Sequence, residues 1–72
     1  MIDVVVGANV REARISAGKS AGDCAHYLRL TETAYCSKER GLDRFTASEL
    51  VRLAIFLDAK VASFFAEIRG PT

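Results

Sequence analysis

The sequence predicts an all-α fold, a compact bundle of five helices, and three observations carry that reading. Apolar residues recur at helical spacing along nearly the whole chain. Ser20, Thr31 and Thr46 stand where helix N-caps are needed, each just ahead of such a stretch. Half of the 72 residues are hydrophobic, the dense patterning a domain this small needs, because it buries only about 60% of its unfolded surface. The length gives room for one domain, residues 1–72.

The first helix is expected from about Asp3 or Val4 to Ala17. Val6, Val10, Ala13 and Ala17 lie on one face, and Gly18 is a natural stop. Val4-Val5-Val6 also has strand propensity, which leaves the start of this helix open. The second helix opens at Ser20, with Asp23 completing a cap of the Ser-x-x-acid kind, and turns Cys24, Ala25 and Leu28 inward. Gly22 weakens it by roughly 1 kcal/mol relative to Ala. Arg29 and Leu30 form a short link, Thr31 caps a third helix reaching about Arg40, and Gly41 ends it. Two short helices joined by a tight turn make a helix-turn-helix, here at about residues 20–41. Thr46 and Glu49 form a capping box for the fourth helix, whose inner face carries Ala47, Leu50, Leu53, Ala54 and Leu57. A fifth helix is expected from Val61 to about Arg69, with Phe64, Phe65 and Ile68 as its apolar side chains and Gly70-Pro71 as its stop.

Composition excludes several classes. No apolar run approaches the roughly 20 residues of a membrane span, and the opening residues have no basic region ahead of an apolar one, so a signal peptide is not expected and the cytoplasm is the expected compartment. Cys24 and Cys36 form no Cys-x-x-Cys pair, and His26 completes no zinc spacing with them; no metal and no cofactor are expected, and both thiols read as reduced. There is no Ser-His-Asp set and no phosphate-cradling glycine loop, so an enzyme is not expected. The net charge of +1, from ten basic and nine acidic residues, is nearly neutral.

From Val10 to Phe65 the chain resembles the Cro, lambda-repressor or XRE-like helix-turn-helix family. The resemblance rests on Val10, Ala13 and Arg14 in the first helix, then Gly18, Ser20, Ala25, Leu28, Leu30 and Thr31 through the motif. It continues with Glu39-Arg40-Gly41, with Leu50, Leu53, Ala54 and Leu57, and with the closing pair Phe64-Phe65. It implies a lambda-repressor-like DNA-binding domain and a repressor-type, sequence-specific transcriptional regulator with double-stranded DNA as its partner. It also implies a structural ion pair between Arg14 and Glu39.

In a helix-turn-helix the second helix of the motif lies in the major groove. At about 100° per residue, Thr33, Ala34, Ser37 and Lys38 point outward from it while Tyr35 and Glu39 point inward. Glu32, Thr33 and Ser37 are the candidate base contacts, Glu32 by the family geometry. Lys19, Ser20, Lys38, Arg40 and Arg44 are the candidate phosphate contacts. Three positions depart from the family pattern: Ala21 where Gln is frequent, Glu32 where Gln or Arg is frequent, and Lys38 where an apolar residue is frequent. They motivate an alternative reading, a helix-turn-helix domain turned to binding a protein partner, with weak or no DNA affinity.

The fourth helix is apolar beyond one face. Val51, Ile55 and Phe56, together with Phe64, Phe65 and Ile68, are candidates for a homodimer interface, which would set two half-sites about 34 Å apart.

Overall fold

The computed structural model describes residues 2–66. Over that range the chain is helical and has no strand: α1 spans Ile2–Ser16, α2 Ala21–Leu28, α3 Glu32–Glu39 and α4 Ala47–Leu57, followed by a 3-10 helix at Val61–Phe65. Among the described residues there are thus four α-helices where five are expected, with a single 3-10 segment at the start of the expected fifth. Ser63 accounts for part of this: its hydroxyl donates to the Lys60 carbonyl at 2.6 Å, and its backbone N–H bonds the same oxygen at 2.9 Å, tightening the turn. The expected continuation of that helix, Ile68 included, lies outside the described residues.

The caps form as their chemistry requires. Ser20 Oγ accepts from the Asp23 N–H and Asp23 Oδ2 accepts from the Ser20 N–H, both at 3.0 Å. Thr46 and Glu49 make the same reciprocal pair at 3.1 and 2.9 Å, and Thr31 Oγ1 accepts from the Ala34 N–H. These bonds satisfy donors that each helix start leaves orphaned. At the other ends, α2 and α4 close on non-glycine residues in the left-handed region, Arg29 at φ 60° and Asp58 at φ 54°.

The core is drawn from every element: Val6 and Val10 from α1, Cys24, Ala25 and Leu28 from α2, Tyr35 from α3, Leu50, Leu53, Ala54 and Leu57 from α4, and Phe64 from the 3-10 helix. Ala17 and Ala47, placed on inner faces by periodicity, are exposed, because each sits at an end of its helix beyond the packed region. Asn9 of α1 holds the 3-10 segment with two bonds, its Nδ2 donating to the carbonyls of Phe64 and Ala66 at 2.9 and 2.8 Å.

Two glycines let α1 lie directly against the end of α3. A Cβ at Gly7 would overlap the carbonyl of Glu39 and come within 2.8 Å of the Lys38 carbonyl oxygen. Gly41, at φ +80°, has room for no side chain either, since a Cβ there would sit 2.6 Å from Val4 Cγ2. This close approach brings Arg14 of α1 within reach of Glu39.

Candidate functional site

The helix-turn-helix consists of α2, the link Arg29–Thr31 and α3. Its inner side is a buried polar network. Arg14 Nε donates to Glu39 Oε2 at 2.7 Å and Arg14 Nη2 to Oε1 at 3.3 Å, the two side chains being 13% and 7% exposed. Arg14 Nη1 also donates to the Lys19 carbonyl at 3.1 Å, at the entry to α2. Tyr35 Oη donates to Glu39 Oε2 at 2.5 Å. Both Glu39 oxygens and all three Arg14 nitrogens thus have partners, which is the condition under which a buried ion pair is tolerated. The Glu39 hydrogen bond holds the Arg14 guanidinium further above its ordinary range. Burial, and then the bond to Glu39, push the Tyr35 phenol far up. Burial likewise raises the Cys24 thiol beside it. Cys24 and Cys36 are both free thiols, the first buried and the second partly so.

The outer side of α3 is open. Glu32 and Thr33 are exposed and Ser37 is partly so. The Glu32 carboxylate leans back over α2, with Oε1 3.5 Å from where a Gly22 Cβ would stand. The sequence reading of Gly22 as a simple weakness in α2 missed this proximity, which spacing cannot reveal because it arises between two helices.

The structure divides the candidate phosphate contacts. Arg40 is exposed. Arg44 is exposed and pairs with Asp3, Nε to Oδ1 at 3.2 Å. Lys19 lies with its Nζ 5.0 Å from the centroid of the Phe56 ring. Ser20 is exposed, with its hydroxyl engaged in the α2 cap.

Lys38 is a correction. It points into the protein, not out: Nζ donates to the Arg44 carbonyl at 2.8 Å and lies 3.4 Å from Glu49 and 3.8 Å from Asp43, with only 10% of its side chain exposed. The loop after α3 folds back over its last turn and brings Glu49 at the start of α4 alongside. A helical wheel counts angles on one helix and cannot see that return. The carboxylate of Glu49 therefore serves two partners, the Thr46 N–H and the Lys38 ammonium.

Among the dimer candidates, Phe64 is also corrected: it is fully buried in the chain's own core and offers no surface. Phe56 is partly covered, stacked on Tyr27 with ring centroids 4.4 Å apart and planes 16° from parallel. Val51, Ile55 and Phe65 remain exposed, Ile55 most of all at 70%. No helix of the described residues is long and apolar enough to cross a membrane, and among them no three His, Cys, Asp or Glu residues gather where a metal ion would bind.

No protein-family model and no curated protein matches the chain. Among solved structures it is similar to the clp gene regulator ClgR from C. glutamicum, with a TM-score of 0.81 over 89% of this chain and 83% of that one, at 23% identity. The likeness at that identity is one of fold.

Proposed function

We propose that the protein is a sequence-specific DNA-binding transcriptional regulator of the repressor type, acting as a homodimer with α3 in the major groove. The observation that carries this reading is the contrast across α3. Its inner side is locked into the fold through Tyr35 and Glu39, while Glu32, Thr33 and Ser37 stand on the opposite side. The fold it shares with a gene regulator supports the same reading.

In this proposal Thr33 and Ser37 hydrogen-bond base edges, and Glu32 accepts from a cytosine amino group. Arg40, Arg44 and Lys19 contact phosphates and set register. The Arg44–Asp3 pair is exposed, so exchanging Asp3 for a phosphate costs little. Val51, Ile55 and Phe65 supply the apolar contact between copies. The reading involves no catalysis and no cofactor.

Selection from a random duplex pool, followed by titration of the enriched site across salt concentrations, tests it. Three phosphate-binding cations per protomer make about six in a dimer, and the slope of log K against log salt should lie near −5. A second reading, binding of a protein partner with little DNA affinity, is favoured by one observation: Lys38 is internal, Lys19 rests on Phe56 and Arg44 pairs with Asp3. If those cations stay engaged, Arg40 alone of the four candidate cations remains, and the slope falls to about −2 with no enriched sequence.

A further inference from the structure

On the α2–α4 side of the molecule, Tyr27, Arg29 and Arg52 line an open depression of about 550 Å³. Tyr27 and both arginines are exposed, and among the described residues neither guanidinium has an ion pair and the Tyr27 hydroxyl has no hydrogen bond. Arg14, Lys38 and Arg44 are all paired. Two planar cations and a phenol therefore converge on one hollow with their donors unused.

The floor beside them is aromatic. Tyr27 stacks on Phe56, and Lys19 caps the Phe56 ring. Past the stack lies a second open depression of about 500 Å³, bordered by Ala13, Ala17, Phe56, Leu57 and Lys19, with Asp58 as its acidic member. The cationic notch is bordered by Tyr27 and the second hollow, of mixed apolar and polar lining, by Phe56, so the Tyr27–Phe56 stack lies between them.

The backbone at Arg29 is the further clue. It closes α2 at φ 60°, ψ 41°, the left-handed position where glycine fits without strain. This cap conformation sets the Arg29 side chain among the residues that line the notch.

We infer that this surface, Tyr27, Arg29, Arg52 and the Phe56 hollow, is a docking site for an acidic, apolar peptide segment of a partner protein. The guanidinium groups take carboxylates in bidentate fashion. The adjoining hollow takes an apolar side chain from the same segment. A nucleic acid offers the charge but no aliphatic side chain for that hollow, which is why a peptide fits better. The inference does not depend on DNA binding by α3, and the two surfaces meet at Lys19, which borders the Phe56 hollow.

The test uses the whole chain, isotope-labelled, titrated with a twelve-residue peptide alternating Glu with Leu and Phe. The expected result is saturable movement of the amide resonances of Tyr27, Arg29, Arg52 and Phe56 at peptide concentrations up to about 1 mM, an affinity of order −4 kcal/mol or better. Arg29→Gly and Arg52→Gln should each weaken binding about fivefold to tenfold. Arg29→Gly relieves the left-handed strain, so its thermal midpoint should equal or exceed that of the parent protein, and lost binding cannot then be lost folding. Three results overturn the inference: no saturable movement, equal binding of a peptide with Gln in place of every Glu, or tighter occupation of the same residues by single-stranded oligothymidine.

Discussion

The two sides of α3 share eight residues and little else. The inner side carries Tyr35, Lys38 and Glu39, all buried; Lys38 and Glu39 bond to other parts of the chain, and Tyr35 bonds to Glu39 within the helix. The outer side carries Glu32, Thr33 and Ser37, and their side chains make no hydrogen bond among the described residues. Charge on the inner side holds architecture: Glu39 ties α3 to α1, and Lys38 ties it to α4. Polar groups on the outer side are left for something else. The lesson is that a charged residue in a helix-turn-helix cannot be assigned to DNA by its type, because the fold consumes part of the charge for its own assembly.

The largest effect expected is on the inner side. Glu39→Ala leaves the Arg14 guanidinium buried without a carboxylate and should cost about 3–5 kcal/mol in chemical denaturation. A loss under 1 kcal/mol would mean that the pair is not buried in solution. Gly7→Ala should come next, at about 1–3 kcal/mol, because the methyl group has only the carbonyls of Lys38 and Glu39 to displace. The sign is informative, since Ala at an open helical site stabilises by about 1 kcal/mol.

Lys38→Ala separates the two sides most directly. It strips partners from the Arg44 carbonyl and the Glu49 carboxylate and should cost about 1–3 kcal/mol. The salt slope of DNA binding should stay unchanged, whereas Arg40→Ala should lower it by about one per protomer and leave stability within about 0.5 kcal/mol.

Alkaline pH probes the inner side without mutation. The folded protein holds the Cys24 thiol and the Tyr35 phenol above their ordinary values of 9.0 and 10.0, through burial in both cases. The unfolded chain thus loses these protons first. Their contribution is whole below pH 9 and is lost as pH rises toward the folded-state values. Denaturation midpoints should fall between pH 9 and pH 11, and Cys24→Ala should flatten the lower part of that decline.

The smallest stability effects belong to the outer side. Thr33→Ala and Ser37→Ala should change the folding free energy by no more than about 0.5 kcal/mol, yet shift the sequences enriched from a random duplex pool. Unaltered preference in both variants would remove α3 from the proposed reading surface.

Much of this architecture is legible in the sequence because it is local. A Ser or Thr three residues ahead of an acid, just before an apolar-periodic stretch, satisfies helix donors locally, so the starts of α2 and α4 could be read from Ser20–Asp23 and Thr46–Glu49. Periodicity located Leu50, Leu53, Ala54 and Leu57 as core for the same reason: a helix turns by a constant angle. What the order of residues could not determine are the relations between elements. Lys38 turns inward because a loop returns over it, Gly7 matters because α3 ends against it, and Arg29 closes a helix in a left-handed conformation that its own propensity opposes. Phe64 fills the core although its neighbour Phe65 is half exposed, a choice made by the 3-10 turn and by the bonds from Asn9. Those outcomes depend on which surfaces meet in three dimensions, and only the packed chain decides that.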